Sequence, residues 1–274
     1  MRLLNEILLS VIEISLSTGA AILILLLISP FLQKRYAAKW RYYIWIVLAV
    51  RLVVPYNISL PVRQIEMRIP VRMTEAAMSP AADAVNVANA MPAMSRLEER
   101  AASITALDAA AVVWLVVFAG IILVHLCGYA RLRARIVRRG IYVEDGLISE
   151  KFSVLRKELG IKRDIPAIRY RDAASPMIIG FFKPLLVIPD HRYSETELFF
   201  ILKHELIHLK RHDTFFKFLF MAARAVHWFN PAIALMQRAA AVDMELACDE
   251  RVIQGISYDG RKAYTETLMS SLDR

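Results

Sequence analysis

LKHELIHLKRHD, residues Leu202–Asp213, places three of the chain's six histidines within nine residues. Two of them, His204 and His208, bracket Glu205. On an α-helix, residues four apart share a face, with Cβ atoms about 5–6 Å apart. Both imidazoles can therefore reach one ion. Glu205, one residue round from His204, can reach a water on that ion without crowding the ligands. This is the H-E-x-x-H arrangement, two zinc ligands and a general base. The competing reading is a solvated helix with incidental histidines. Ser194 with Glu197 three residues on forms a capping box. It starts a helix to about His212 independently of the motif, which favours the metal reading.

A catalytic zinc takes a third protein ligand. His212 and Asp213 lie too far along the same helix, since eight residues span about 12 Å. The ligand must come from another element. His227 is one candidate, although beside Trp228 and Phe229 its plainer reading is a packed interfacial residue. Glu245 is another. Asp249, four residues on, faces the same way and can accept the N–H of a ligating histidine. The plainer reading of Asp243, Glu245, Asp249 and Glu250 is a solvated acidic face.

Around this motif lies an unusually apolar chain. Of its 274 residues 57% are hydrophobic, against about 45–50% in soluble domains. The excess sits in blocks. Ile14 to Leu32 carries no charge over 19 residues, enough to span about 29 Å, a hydrocarbon core. Tyr42 to Leu60 and Ala109 to Tyr129 form two further blocks, the former interrupted by Arg51. The spacing predicts membrane helices at about 7–32, 42–60 and 107–129. The net charge of +9 is concentrated in Lys34, Arg35, Lys39 and Arg41 and in Arg131, Arg133, Arg135, Arg138 and Arg139. The positive-inside rule puts both basic segments in the cytoplasm. The N-terminus and a loop at about 61–106 then lie outside. The loop's alanine-, serine- and proline-rich stretch from Glu75 reads as a linker. Anionic lipid accounts for the basic charge, and direct nucleic-acid binding is not expected. Cys127 and Cys248 are scattered on the reducing side, so neither a disulfide nor a thiolate zinc site is expected.

The second half reads as a compact α/β unit. Glu150 to Leu159 is an amphipathic helix ended by Gly160, and AIRYRD alternates as a strand does. In SPMIIGFFKPLLVIP, prolines at 176, 184 and 189 argue against a central strand and for an edge hairpin. Thr214–Phe229 and Ala232–Gln254 are further helices. A peptide substrate is expected to add as a strand along Met177, Ile178, Ile179 and Gly180. Gly180 would allow close approach there, or simply turn the hairpin.

HELIHLKRHD, then HWFNP, then ELACDE, together with RLVVP and SPMIIGFFKPLLVIP, resemble the BlaR/MecR family of membrane metallopeptidases, β-lactam sensor-transducers and relatives of other function. The resemblance covers essentially the whole chain. It implies that His204, His208 and Glu245 bind one Zn(2+) and that Glu205 is the catalytic acid/base. Asp249 would support a zinc histidine, as in gluzincins. The family's sensors carry a penicillin-binding domain after the peptidase part. No S-x-x-K or K-T-G occurs here, so covalent β-lactam binding is not expected of this chain.

The expectation is therefore a mostly α protein of the bacterial plasma membrane in two parts. Residues 1–130 form a membrane domain of three transmembrane helices. Residues 131–274 form a cytoplasmic α/β gluzincin-like zinc metallopeptidase domain with an edge β-hairpin. The expected partners are membrane lipid and a protein or peptide substrate, either a cytoplasmic repressor or the chain itself, with a homodimer left open. A receptor module with a structural or self-directed metal site and a general membrane-protein quality-control protease are the competing functions.

Overall fold

A computed structural model describes residues 1–54, 105–143 and 146–272. Nearly all of the expected outer loop, 61–106, falls outside them. Two helices of 34 residues, α1 (Arg2–Arg35) and α3 (Ala106–Arg139), are long and apolar enough to cross a membrane. α3 begins at a capping box between Thr105 and Asp108. Asp108 also accepts from Asn5 at 2.8 Å, tying the starts of α1 and α3 together. Only 11% of the apolar window of α3 is buried in the protein. Its outward face carries Val112, Val113, Val116, Leu123 and Val124, an apolar surface that calls for lipid rather than water. Between them runs α2 (Ala38–Val53). Its 16 residues reach about 24 Å, short of a full crossing, and the remainder of that block lies outside the described residues.

The short strand β1 (Ile141–Tyr142) and the helix α4 (Leu147–Glu158) follow. The strands β2 (Ala167–Arg169), β3 (Met177–Ile179) and β4 (Leu185–Ile188) complete a sheet of order β1-β2-β4-β3. β2 runs parallel to β4, pairing Ile168 with Val187, and β3 runs antiparallel to it, pairing Ile178 with Leu186. The expectation of an edge hairpin holds for β3 and fails for β4, which is an inner strand. Pro184 and Pro189 stand just outside its ends, so every residue of Leu185–Ile188 keeps its N–H. All four of these residues are buried. Gly180 turns the hairpin at φ +98°, and a Cβ there would collide with the Lys183 carbonyl and the Arg133 guanidinium. Lys183 of its own loop and Arg133 of α3 fill that side, which favours the turn as the reason for the glycine.

Four helices follow: α5 (Glu195–Lys210), α6 (Asp213–Val226), α7 (Pro231–Val252) and α8 (Tyr258–Leu272). Leu198, Leu202 and Leu206, four apart on α5, press onto Leu186 and Ile188 of the sheet and Phe152 and Leu155 of α4. A second core joins α1 and α2 to α6 and α7, through Ile14, Ile22, Tyr42, Trp45, Phe220, Ile233, Met236 and Met244. Asn230 caps α7 by accepting from Ala232 N–H at 2.9 Å, and Pro231 occupies the first turn, where a missing N–H costs nothing. The Asn230 amide also donates to the Ser15 carbonyl at 3.0 Å. Gly19 makes room for it: a Cβ at that position would lie 2.8 Å from the amide nitrogen.

Candidate metal centre

The capping box expected at the start of α5 is present. Ser194 Oγ accepts from Glu197 N–H at 3.2 Å, and the Glu197 carboxylate accepts from Ser194 N–H at 2.8 Å. With the leucine face of α5 buried, His204 and His208 are turned towards α7 and α8. Their Nε2 atoms lie 2.9 Å apart. Glu245 Oε2, from α7, lies 3.1 Å from His208 Nε2 and 3.5 Å from His204 Nε2. In a tetrahedral zinc site with bonds of about 2.05 Å, ligand atoms are separated by about 3.3 Å. The three edges bracket that value, so these donors fit a single zinc ion.

The other nitrogens are held from behind. His208 Nδ1 lies 2.7 Å from Asp213 Oδ2, and Asp213 is almost wholly buried. His204 Nδ1 lies 3.0 Å from the Tyr264 hydroxyl and 3.3 Å from Asp249 Oδ1, and Tyr264 donates to the same Asp249 oxygen at 2.6 Å. With Nδ1–H donated to these acceptors, each ring presents Nε2 to an ion, which would take the place of any second proton there. Burial by itself lowers the affinity of both imidazoles for a second proton. For His204 the bond to Asp249, then those to Cys248 and Glu245, outweighs it and raises the pKa. For His208 Asp213 leads, then Cys248 and Glu245, and the pKa is pushed up to about 11. The two histidines in turn hold the Glu245 carboxyl well below the usual carboxylate range, against burial.

Glu205 faces the edge strand. Its Oε2 accepts from Ile178 N–H at 3.0 Å. Burial raises its pKa, with His208 and His204 opposing. Beside it a cavity of about 180 Å³ opens, lined by Pro176, Tyr193, Phe200, Ile201, Tyr264 and Leu268 together with His204 and Glu205. An engineered cavity of about 150 Å³ holds benzene, so this one has room for a branched or aromatic side chain.

Of the residues singled out in the sequence, His204, Glu205, His208, Glu245, Asp249 and Ile178 come together. His227 does not. It is buried at the far end of α6, with Nε2 3.1 Å from the Leu52 carbonyl. Three participants escaped the sequence. Asp213 looks like a helix-end cap, but His212 adopts a left-handed conformation (φ 59°) between α5 and α6. That corner folds Asp213 back onto His208. Tyr264 carries no motif. Cys248 was expected to stand apart from any metal, yet it is three residues beyond Glu245 on the same face of α7. Its sulfur, His204 and His208 offer ligand atoms all within 4.8 Å of one another. Burial pushes the Cys248 thiol pKa up, but bonds to His204 and His208 outweigh it and lower it.

The BlaR1 peptidase M56 family matches residues 9–273. Over 131 residues the chain is 26% identical to the methicillin resistance mecR1 protein of Staphylococcus aureus, covering 46% of this chain and 22% of that protein. Over 160 residues it is 24% identical to the regulatory protein BlaR1 of Bacillus licheniformis, covering 57% and 26% respectively. The chain thus spans roughly a quarter of the length of these relatives.

Proposed function

This chain belongs to the BlaR1 peptidase M56 family, and we propose that it is a membrane-embedded zinc metalloendopeptidase that cuts a regulatory protein at the cytoplasmic face. The observation that carries this is the triangle of His204, His208 and Glu245 donor atoms, with edges of 2.9, 3.1 and 3.5 Å, beside the Glu205 carboxylate. His204, His208 and Glu245 would hold a zinc ion there, which would supply Lewis-acid chemistry to the scissile carbonyl and to water. Glu205 is the base that takes the water's proton and passes it to the leaving amine. Its raised pKa brings it nearer to neutral pH, where a general base is most effective. The Ile178 N–H holds one of its oxygens.

In an antiparallel pair the N–H and C=O of one residue point to the same side. The Ile178 carbonyl therefore faces the site with its N–H and accepts from the amide of a substrate strand laid along Met177–Ile179. The adjoining cavity takes one apolar side chain of that strand. The membrane reading extends to three spans, an outer N-terminus and an inner peptidase part, from the placement of the arginines. The relatives' names, a methicillin resistance protein and a regulatory protein, point to signalling. A transcriptional repressor, or this chain itself, is the substrate we propose.

Glu205→Gln tests the mechanism: cleavage of a candidate regulator is lost while one zinc per chain remains. A variant that still cuts would sink it. A second reading, a structural site closed by a thiolate, draws on the place of the Cys248 sulfur. Under that reading Cys248→Ala, and not Glu245→Ala, releases the metal.

A further inference from the structure

The buried face of α2 that meets the metal-site helices carries polar groups within an otherwise apolar core. Ala38, Arg41, Tyr42 and Trp45 fall at i, i+3, i+4 and i+7, one side of the helix. Each reaches a carboxylate on α7 or at the start of α6. Arg41 binds Asp243 Oδ1 from Nε at 2.8 Å and from Nη2 at 2.6 Å, and Trp45 Nε1 donates to Asp243 Oδ2 at 2.8 Å. Ala38 N–H donates to Glu250 at 3.1 Å. The Tyr42 hydroxyl donates to Asp213 Oδ1 at 3.4 Å, the second oxygen of the carboxylate that holds His208. Arg211, whose guanidinium lies over the Tyr42 ring at 5.2 Å, donates to the Met244 carbonyl, next to Glu245.

We propose that Arg41, Trp45 and Tyr42 are positioning residues of the metal centre, setting from α2 the rotation of α7 and the corner that holds His208. The reason lies in helix geometry. Asp243 and Glu245 are two residues apart, about 200° round the helix. Anchoring Asp243 on α2 turns Glu245 the opposite way, towards α5. A side chain about 6 Å from its helix axis moves about 2 Å for a 20° rotation, which is enough to open a triangle whose edges are 3.1 and 3.5 Å. A buried pair such as Arg41–Asp243, 7% and 3% exposed, adds little net stability, because desolvation offsets its attraction. What it supplies is direction.

This inference rests on His204, His208 and Glu245 being the zinc ligands. The test uses the full chain in detergent, with zinc affinity from chelator competition and the visible spectrum of the cobalt-loaded protein. Trp45→Phe keeps an aromatic ring and removes the donor to Asp243. It weakens zinc about tenfold, the low end of what outer hydrogen-bond partners are worth, and shifts the cobalt bands. Tyr42→Phe has a smaller effect of the same sign, and Arg41→Lys restores part of what Arg41→Met loses. Ile22→Val, which thins the same core elsewhere, lowers the melting temperature and leaves zinc affinity unchanged. Wild-type zinc affinity and cobalt spectra in the α2 variants would refute the positioning role. A wild-type chain that binds neither metal would refute the ligand assignment, and this inference with it.

Discussion

Replacing Asp213 with Asn changes one atom in the support of His208. Asp213 is 1% exposed, and its Oδ2 lies 2.7 Å from His208 Nδ1. Asn keeps the shape and can still present a carbonyl to the Nδ1–H, so the ring stays in place. What is lost is the charge. A hydrogen bond to a charged group is worth about 1.5–3 kcal/mol, and a neutral one about 0.5–1.5. The difference, about 1–1.5 kcal/mol, weakens zinc binding roughly five- to tenfold. Asp213→Ala removes the acceptor as well and leaves Arg211, 3.5 Å away, without its nearest carboxylate, so its loss reaches about 10–100-fold. The assay is competition between the purified chain and a chelator of known zinc affinity. Asp249→Asn provides the comparison. Its carboxylate stands 3.3 Å from His204 Nδ1 and shares it with Tyr264, so its effect is smaller than that of Asp213→Asn. Equal zinc affinity in wild type, Asp213→Asn and Asp213→Ala would refute the reasoning.

Glu245→Ala is expected to release zinc in an equilibrium dialysis that Cys248→Ala leaves at one ion per chain, and the reverse pattern would transfer the third ligand to the sulfur. In the metal-free chain His208 holds a second proton to about pH 11, so zinc must displace it. Zinc affinity therefore rises with pH, about tenfold per unit for each proton released, and a flat profile between pH 6 and 8 would contradict this. The same shift has a stability sign. The folded pKa lies above the unfolded value of about 6.5, so the contribution is complete below pH 6.5. It is lost as pH rises towards 11, and thermal melts of the metal-free chain above pH 7 should show the decline. Leu206→Ala, in the fully buried face of α5, should cost about 2–5 kcal/mol. A loss under about 1 kcal/mol by denaturant melt would mean that this face is not packed as described.

Local rules made much of this protein legible. The capping box at Ser194 starts α5 because side chain and backbone satisfy each other within four residues. The i, i+4 spacing puts His204 and His208 on one face in any α-helix. The uncharged run from Ile14 marks a helix long enough to cross a membrane, because length and polarity alone set that requirement. Gly160, at φ +70°, ends the helix before it where the sequence reads a stop.

Much of what depends on two distant segments meeting was not legible. Sequence spacing left Glu245 and His227 open as the third ligand. Only the packing of α7 on α2 and α5 brings Glu245 Oε2 to 3.1 Å from His208 while α6 carries His227 away to Leu52. Prolines at 184 and 189 read as an edge signal, but whether a strand is inner depends on its neighbours, and β2 covers β4. Asp213 reaches His208 because one left-handed residue, His212, breaks the helical period between them. The sequence determines the chemistry on offer and the helices that carry it, since those rest on contacts within a few residues. The tertiary structure decides which acids, which hydroxyl and which face of α2 stand behind the histidines, because those contacts span up to about two hundred residues of chain and local periodicity carries no record of them.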